Sequence, residues 1–160
     1  MSACRQLWEQ FVKLSNEIEV VRVNLFNHCS AEISDLVHRG FHDPGSRSAA
    51  FQLIHWMQRE SRTEFLAELV ELASYANKYT EISRRAILEL PRRSTIDNIR
   101  AACELVLRRD SAHEEEFGLI FPLLEELAPN MASELAETAS KYDNPKIREL
   151  AEEYLKQRER

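Results

Sequence analysis

Glycine is scarce in this chain: only three of its 160 residues are glycine, and five are proline. Folds built from many tight turns need glycine at positions of positive φ, so small β-sandwiches and barrels are disfavoured. A glycine-rich phosphate-binding loop is excluded for the same reason. Because 44% of the residues are hydrophobic, the chain has enough apolar side chains for one continuous core. The sequence therefore predicts an all-α protein with a single domain over residues 1–160.

The first segment, residues 1–28, carries an apolar stripe whose members recur at alternating steps of four and three. This spacing predicts one long amphipathic helix, or two helices with a break near Ser15 and Asn16. Such a helix either caps the helices that follow it or pairs with a second copy of the chain as a coiled coil. The stripe consists of Leu7, Phe11, Leu14, Ile18, Val21 and Leu25.

Helix-start signals recur along the rest of the chain. Asp43 and Asn144 each precede a proline, which is tolerated in the first helical turn, and Ser61 with Glu64 forms a capping box. Gly40 is expected to end the helix before it as a left-handed C-cap. About nine helices with short connections and no strand are therefore predicted. Further starts are expected at Ser30, Thr80, Ser94 and Ser111, and the chain is expected to break at residues 129–130.

Four of these helix starts share a phrase that ends on a small residue. The small residues are separated by 36, 32 and 33 residues, which lies within the range of paired-helix repeat units. A small side chain at a helix crossing lets the two helix axes approach closely. The phrases cover residues 43–50, 79–86, 111–118 and 144–151, and their small residues are Ala50, Ala86, Gly118 and Ala151.

These phrases resemble the HEAT-repeat family, in which the second helix of each pair commonly opens with D/N-P-x-V/I-R-x-x-A. Residues 144–151, with the sequence NPKIRELA, match every specified place. Residues 43–50 match all but one, because Ser46 stands at the aliphatic place. The second phrase has Ser83 at the arginine place, and the third departs most, with Gly118 at its last place.

The resemblance covers roughly residues 30–158 and leaves residues 1–28 as an N-terminal cap. It implies a right-handed α-solenoid of about four HEAT-like helix pairs. A closed helical bundle is the alternative, because Ser, Thr, Asp and Asn caps occur in any helical protein.

Charge and cysteine content bear on partners and compartment. Acidic residues exceed basic ones by 27 to 21, giving a formal net charge of −6, which opposes general nucleic-acid binding. Cys4, Cys29 and Cys103 lack CxxC spacing, and the first residues do not read as a signal peptide. No run is long and apolar enough for a membrane span. We therefore expect a cytoplasmic protein.

Several residues of types that carry catalytic chemistry need a separate assessment. His38 and His42 are four residues apart, but Gly40 between them is expected to end the helix, so a helical zinc pair is not predicted. Cys103 falls on an apolar stripe and is expected in the core. Residues 114–116 are three consecutive glutamates, which point about 100° apart on a helix and suit the positive end of its dipole. We therefore expect no catalytic, cofactor or metal site, and no enzyme.

Arginine is concentrated in the middle of the chain, with seven between positions 84 and 109. These arginines either form a positive patch that binds phosphates or carboxylates, or pair with acidic residues nearby. Trp56 falls away from the apolar side of its helix, where it either packs on a neighbouring repeat or joins an arginine in an interface hot spot. The candidate partner-binding residues are Trp56, Arg59, Arg84, Arg85, Arg92 and Arg93.

The sequence thus predicts a non-catalytic protein-binding module, which could act as an adaptor, an inhibitor or a toxin-neutralising immunity protein. Its partner is a protein of unknown identity, and a homodimer through the N-terminal helix stays open. The alternative is a nucleic-acid-binding protein, because some members of the HEAT-like family bind DNA, a few as DNA glycosylases. No base-excision residues carry over from that family to this chain.

Overall fold

The computed structural model describes residues 2–158. Over this range every regular element is helical, so the all-α prediction is confirmed. The chain divides into two compact units, residues 1–56 and residues 57–160. The α-helices are α1 (Ala3–His28), α2 (Ile33–His42), α3 (Arg47–Trp56), α4 (Leu66–Ala73), α5 (Thr80–Glu89), α6 (Arg92–Leu107), α7 (Glu114–Leu127), α8 (Pro129–Ala139) and α9 (Pro145–Arg158), with a 3₁₀ helix (Ser61–Phe65) before α4.

In the first unit, α2 and α3 pack closely because two small residues meet at their crossing. A Cβ placed on Gly40 would lie 2.9 Å from the Cβ of Ala50. The prediction that Gly40 ends α2 is wrong: it lies inside the helix with no positive φ, and α2 continues to His42. Its lack of a side chain serves the close approach instead. Phe41 and Phe51 complete this core with an edge-to-face contact of 5.1 Å between ring centroids.

In the second unit, each helix from α4 onward packs against the next helix along the chain, and α4, α6 and α7 also pack against the helix after that. Thus α4 contacts α5 and α6, α6 contacts α7 and α8, and α7 and α8 both contact α9. The interior of this stack is mostly apolar, and its buried polar residues are Ser74, Thr80, Ser83 and Thr95. Its fully buried large side chains include Leu69, Ile87, Ile99, Leu107, Ile120, Leu124, Leu135 and Ile147.

The helix-start phrases at residues 43–50 and 144–151 form the same local structure. The side-chain oxygen of Asn144 accepts the backbone N–H of Lys146 at 3.1 Å, as the Asp43 carboxylate accepts that of Gly45 at 3.2 Å. The arginine of each phrase then reaches a carbonyl six residues back. Arg47 donates to Phe41 O at 2.7 Å, and Arg148 donates to Tyr142 O at 3.3 Å.

The small residue that ends each phrase is not buried in every case. Ala50 and Ala151 are buried, and Ala86 is half-buried, whereas Ser83 is the fully buried small residue of α5. Gly118 is exposed, and an added Cβ would meet nothing within 4 Å, so the expected close contact there is wrong. The large apolar side chains of α7 set its orientation and leave Gly118 on the solvent side. Those side chains are Phe117, Ile120, Phe121 and Leu124.

Candidate protein-binding surface

Helix α1 is a single continuous helix of 26 residues, without a break near Ser15, and none of its residues is buried. Its large apolar side chains face solvent: Leu7 is 65% exposed, Trp8 63% and Phe11 61%. Leu7, Phe11, Leu14, Ile18 and Val21 form one stripe along the helix, and exposed apolar surface of this kind is typical of an interaction site. The exposed large apolar residues of α1 are Leu7, Trp8, Phe11, Val12, Leu14, Ile18, Val20, Val21 and Val23.

A groove of about 280 Å³ runs between the C-terminal half of α1 and helix α3. Glu17, Arg22 and Gln52 are its polar lining residues, and the remainder of its lining is apolar. The side chains that line the groove remain partly open, since Ile18 is 44% exposed and Val21 is 56% exposed. The apolar lining consists of Leu14, Ile18, Val21 and Leu25 from α1 and Ala49, Leu53 and Trp56 from α3.

Trp56 lies in this groove and is half-buried. The guanidinium carbon of Arg22 lies 5.6 Å from the centre of the Trp56 ring, within cation–π distance. Arg22 also forms an ion pair with Glu19, and this hydrogen bond lowers the pKa of the Glu19 carboxyl. Trp56 therefore lies beside an arginine of α1, Arg22, which was not among the candidate residues. The signal for it is the position of Arg22 beside the apolar stripe of α1.

Three of the candidate arginines are engaged in hydrogen bonds to backbone carbonyls. Arg59 donates to the carbonyls of Glu89 and, at 3.2 Å, Leu90, where α5 ends. Arg92 donates to Leu127 O at 2.9 Å, at the end of α7. Arg84 also reaches α7, where it donates to Leu119 O at 3.3 Å. The carbonyls at a helix end lack partners within the helix, so Arg59 and Arg92 act as C-terminal caps.

Three further arginines of the cluster pair with carboxylates. Arg100 and Arg108 both bind Glu104, at 3.0 and 3.3 Å, and Arg109 binds Glu71 at 3.2 Å. Internal pairing, one of the two alternatives for the cluster, thus accounts for these residues. Among the described residues, no hydrogen bond or ion pair involves Arg85 or Arg93, which are both exposed.

A second concave surface, of about 420 Å³, lies in the unit of residues 57–160. Arg108 and Lys141 line it together with Asp110 and Asp143, so its formal charges balance. The guanidinium of Arg108 lies 5.1 Å from the ring centre of Tyr142 and covers that side of the surface. The lining offers no charge preference for a ligand.

The residues considered for chemistry have structural roles. Cys103 is fully buried, as expected for a core residue, and burial raises the pKa of its thiol to about 12. Glu116 accepts the backbone N–H of His113 at 2.8 Å and completes a capping box at the start of α7. His38 and His42 do share helix α2, contrary to expectation. Within residues 2–158, no group of three or more His, Cys, Asp or Glu side chains could hold a metal ion.

No protein-family model, curated protein or solved structure matches this chain. The HEAT resemblance therefore stays a prediction. In the part of the chain that the structure describes, every helix is too short or too polar to span a membrane.

Proposed function

We propose that this chain is a non-catalytic protein-binding module whose binding surface is the apolar face of α1 with the adjoining α1–α3 groove. The observation that carries the proposal is the exposure of nine large apolar side chains on one helix that buries none of its residues. Apolar surface in contact with water is unfavourable and promotes aggregation, and a protein partner that covers it would remove it from water. Trp56 and Arg22 at the groove supply residue types enriched in interface hot spots.

We further propose that the scaffold is a HEAT-like solenoid of stacked helix pairs. Two arginines 33 residues apart support this, because they occupy equivalent places in successive helix pairs. Arg59 lies before α4 and caps the end of α5, and Arg92 begins α6 and caps the end of α7. The matched turns at residues 43–50 and 144–151 support it as well. Adaptor, inhibitor and immunity protein are the roles that such a module could serve.

The pairing of the arginines supports protein binding over nucleic-acid binding. Guanidinium groups that cap helices or bind carboxylates are not available to phosphates, and only Arg85 and Arg93 of the cluster lack such partners among residues 2–158. Two free arginines on a chain with net charge −6 give a weak phosphate-binding surface.

Photo-crosslinking from two positions on α1 tests the proposal. A benzoyl-phenylalanine replaces Phe11 on the apolar face or, as the matched control, Asn16, which lies about 140° away around the helix. Irradiation in a cell extract should give one defined protein adduct from position 11 and none from position 16.

The identified adduct protein should then bind the purified chain. Phe11→Glu should weaken that binding at least tenfold, whereas Asn16→Glu should leave it within twofold, as expected for a buried hot spot and a surface residue. Equal adducts from both positions, or none from either, would remove α1 as the binding surface.

A further inference from the structure

We infer that α1 pairs with α1 of a second copy of this chain as a parallel, two-stranded coiled coil. This inference rests on the proposed function, because it takes the apolar face of α1 to be a protein-binding surface and names its occupant.

Helix α1 is left largely uncovered by the other helices of its own unit. Most of the stability of a helix in a protein comes from packing of its apolar face against other elements. No residue of α1 is buried, and Leu14 still exposes 48% of its surface although it lines the groove beside α3. The contacts within residues 2–56 therefore leave the apolar face of α1 largely uncovered.

The register follows from the spacing of the stripe, which alternates four and three residues over more than three turns. Such spacing is the heptad pattern of a coiled coil, with the stripe in the a and d positions. Ile18 at an a position with Leu7 and Leu14 at d positions follows the two-stranded pattern. Ile18 is the one β-branched a residue, so the seam residues alone do not set the number of strands. In full, the a positions are Cys4, Phe11, Ile18 and Leu25, and the d positions are Leu7, Leu14 and Val21.

The orientation follows from the two charged residues that flank the stripe. Glu17 takes a g position and Arg22 the e position five residues later, so a parallel pair sets Glu17 of each copy beside Arg22 of the other. An antiparallel pair in the same stripe would set the two copies of Glu17 beside each other. Both side chains already lie at the edge of the groove, and Glu17 is 58% exposed. The surface is therefore self-complementary only in the parallel arrangement.

The exposed area is sufficient for a dimer. The stripe together with Trp8 offers roughly 700 Å² per copy, close to the ~800 Å² per partner of a standard interface. The second α1 helix would cover the mouth of the groove, so Leu53 and Trp56 of α3 add to the same interface.

Cys4 provides a direct test of the parallel register. It is exposed and occupies an a position, so a parallel pair places the two Cys4 thiols opposite each other across the seam. An antiparallel pair places them about 35 Å apart at 1.5 Å rise per residue. Cys103 is buried, so a Cys29→Ser variant leaves Cys4 as the one accessible thiol among residues 2–158. Mild oxidation of this variant joins two thiols as one disulfide, and the oxidant accepts the two electrons.

We expect a covalent dimer of Cys29→Ser on a non-reducing gel. The expected dimer is absent from Cys4→Ser/Cys29→Ser and from the matched control that carries Asn16→Cys in that background. A covalent dimer of equal yield from Asn16→Cys, or none from Cys4, overturns the parallel pairing.

Charge variants test the same register without a cysteine. Sedimentation equilibrium should show a dimer of the wild-type chain, and Glu17→Lys should weaken it about tenfold, because both attractive Glu17–Arg22 pairs become repulsive. Glu17→Lys/Arg22→Glu should restore most of the loss. A dimer that is insensitive to both changes overturns the pairing proposed here.

The outcomes also separate this inference from the proposed function. A wild-type chain that stays monomeric at all concentrations, yet gives a face-specific adduct with a different protein from position 11, overturns the dimer and leaves the proposed function standing. A monomeric chain with no face-specific adduct overturns both.

Discussion

The contact between Gly40 and Ala50 yields the sharpest stability prediction. Gly40→Ala places a methyl group 2.9 Å from the Cβ of Ala50, whereas apolar carbons pack at about 3.5–4.0 Å. Neither Cβ can rotate away, because each is fixed to a helix backbone, so α2 and α3 must separate. Overpacking of this kind costs about 1–3 kcal/mol, while alanine gains about 1 kcal/mol over glycine inside a helix. We expect Gly40→Ala to lower the unfolding free energy by up to ~2 kcal/mol.

Gly118→Ala is the matched control. The same substitution inside α7 meets nothing within 4 Å, so only the gain in helix propensity remains. We expect this variant to be stabilised by about 0.5–1 kcal/mol. The two variants therefore change stability in opposite directions although the chemical change is identical.

The assay is urea unfolding followed by two signals. Trp8 and Trp56 are the two tryptophans of the chain and both lie in the first unit, so tryptophan fluorescence reports on the unit that contains Gly40. Circular dichroism at 222 nm reports on all helices and follows Gly118→Ala. The double variant Gly40→Ala/Ala50→Gly should recover at least 1 kcal/mol relative to the sum of the single changes, as expected for residues in contact. If Gly40→Ala stabilises the chain as much as Gly118→Ala does, the close helix crossing is wrong.

Three further stability predictions concern buried or capping groups. Arg92→Ala removes the cap at the end of α7 and should cost about 1 kcal/mol in urea unfolding, whereas the control Arg93→Ala removes the same charge and should change stability by less than about 0.5 kcal/mol. Ser83→Ala removes a buried hydroxyl that has no hydrogen-bond partner, so unfolding monitored by circular dichroism should show a gain of about 1 kcal/mol. Burial raises the pKa of Cys103 from about 9 to about 12, so the folded state loses stability as pH rises through that window, by about 1.4 kcal/mol per pH unit. Cys103→Ala should reduce this alkaline slope, and an unchanged slope would contradict the burial.

The sequence predicted helix boundaries well at prolines and less well at serines that were expected to cap, because α2 begins at Ile33 and not after Ser30, and α7 begins at Glu114 and not after Ser111. Thr80 and Pro145 begin helices as expected, and the break expected at residues 129–130 separates α7 from α8. The start expected at Ser94 is wrong, because α6 begins at Arg92, directly after Pro91, and the Ser94 hydroxyl donates back to Pro91 O at 3.0 Å. The pyrrolidine ring fixes φ near its helical value, so the helix can begin as soon as the proline is passed.

The contacts that depend on distant residues could not be predicted in this way. The role of Gly40 depends on Ala50 standing opposite it in the next helix, and nothing near Gly40 in the sequence indicates that partner. Arg92 donates to a backbone carbonyl 35 residues away. Every residue type has such a carbonyl, so the sequence does not indicate which one is the acceptor. By contrast, the pairing of Arg100 with Glu104 follows the four-residue spacing of a helical ion pair and is visible in the sequence.

Adjacent arginines illustrate why a count of arginines in the sequence does not predict how many of them form a free positive patch. Arg84 and Arg85 are neighbours, as are Arg92 and Arg93, and in each couple one arginine reaches a carbonyl of α7 while the other is exposed. Successive residues on a helix point about 100° apart, so two adjacent arginines cannot both reach the same neighbouring carbonyl. In each adjacent couple, one arginine therefore binds a carbonyl of α7 and the other points into solvent. A count of charges in a window does not distinguish the two.

Exposed apolar surface is concentrated on α1, whereas most buried polar side-chain atoms of the described chain have hydrogen-bond partners. Ser83 Oγ and Tyr142 Oη are the buried side-chain polar atoms of residues 2–158 that lack a hydrogen-bond partner. General underpacking would spread exposed apolar side chains over all helices, whereas outside α1 the exposed large ones are Ile82 and Leu105. The uncovered apolar surface is therefore concentrated on one helix whose stripe keeps a heptad register. Five of the nine exposed large apolar residues of α1 keep that register, whereas Trp8, Val12, Val20 and Val23 lie outside the stripe.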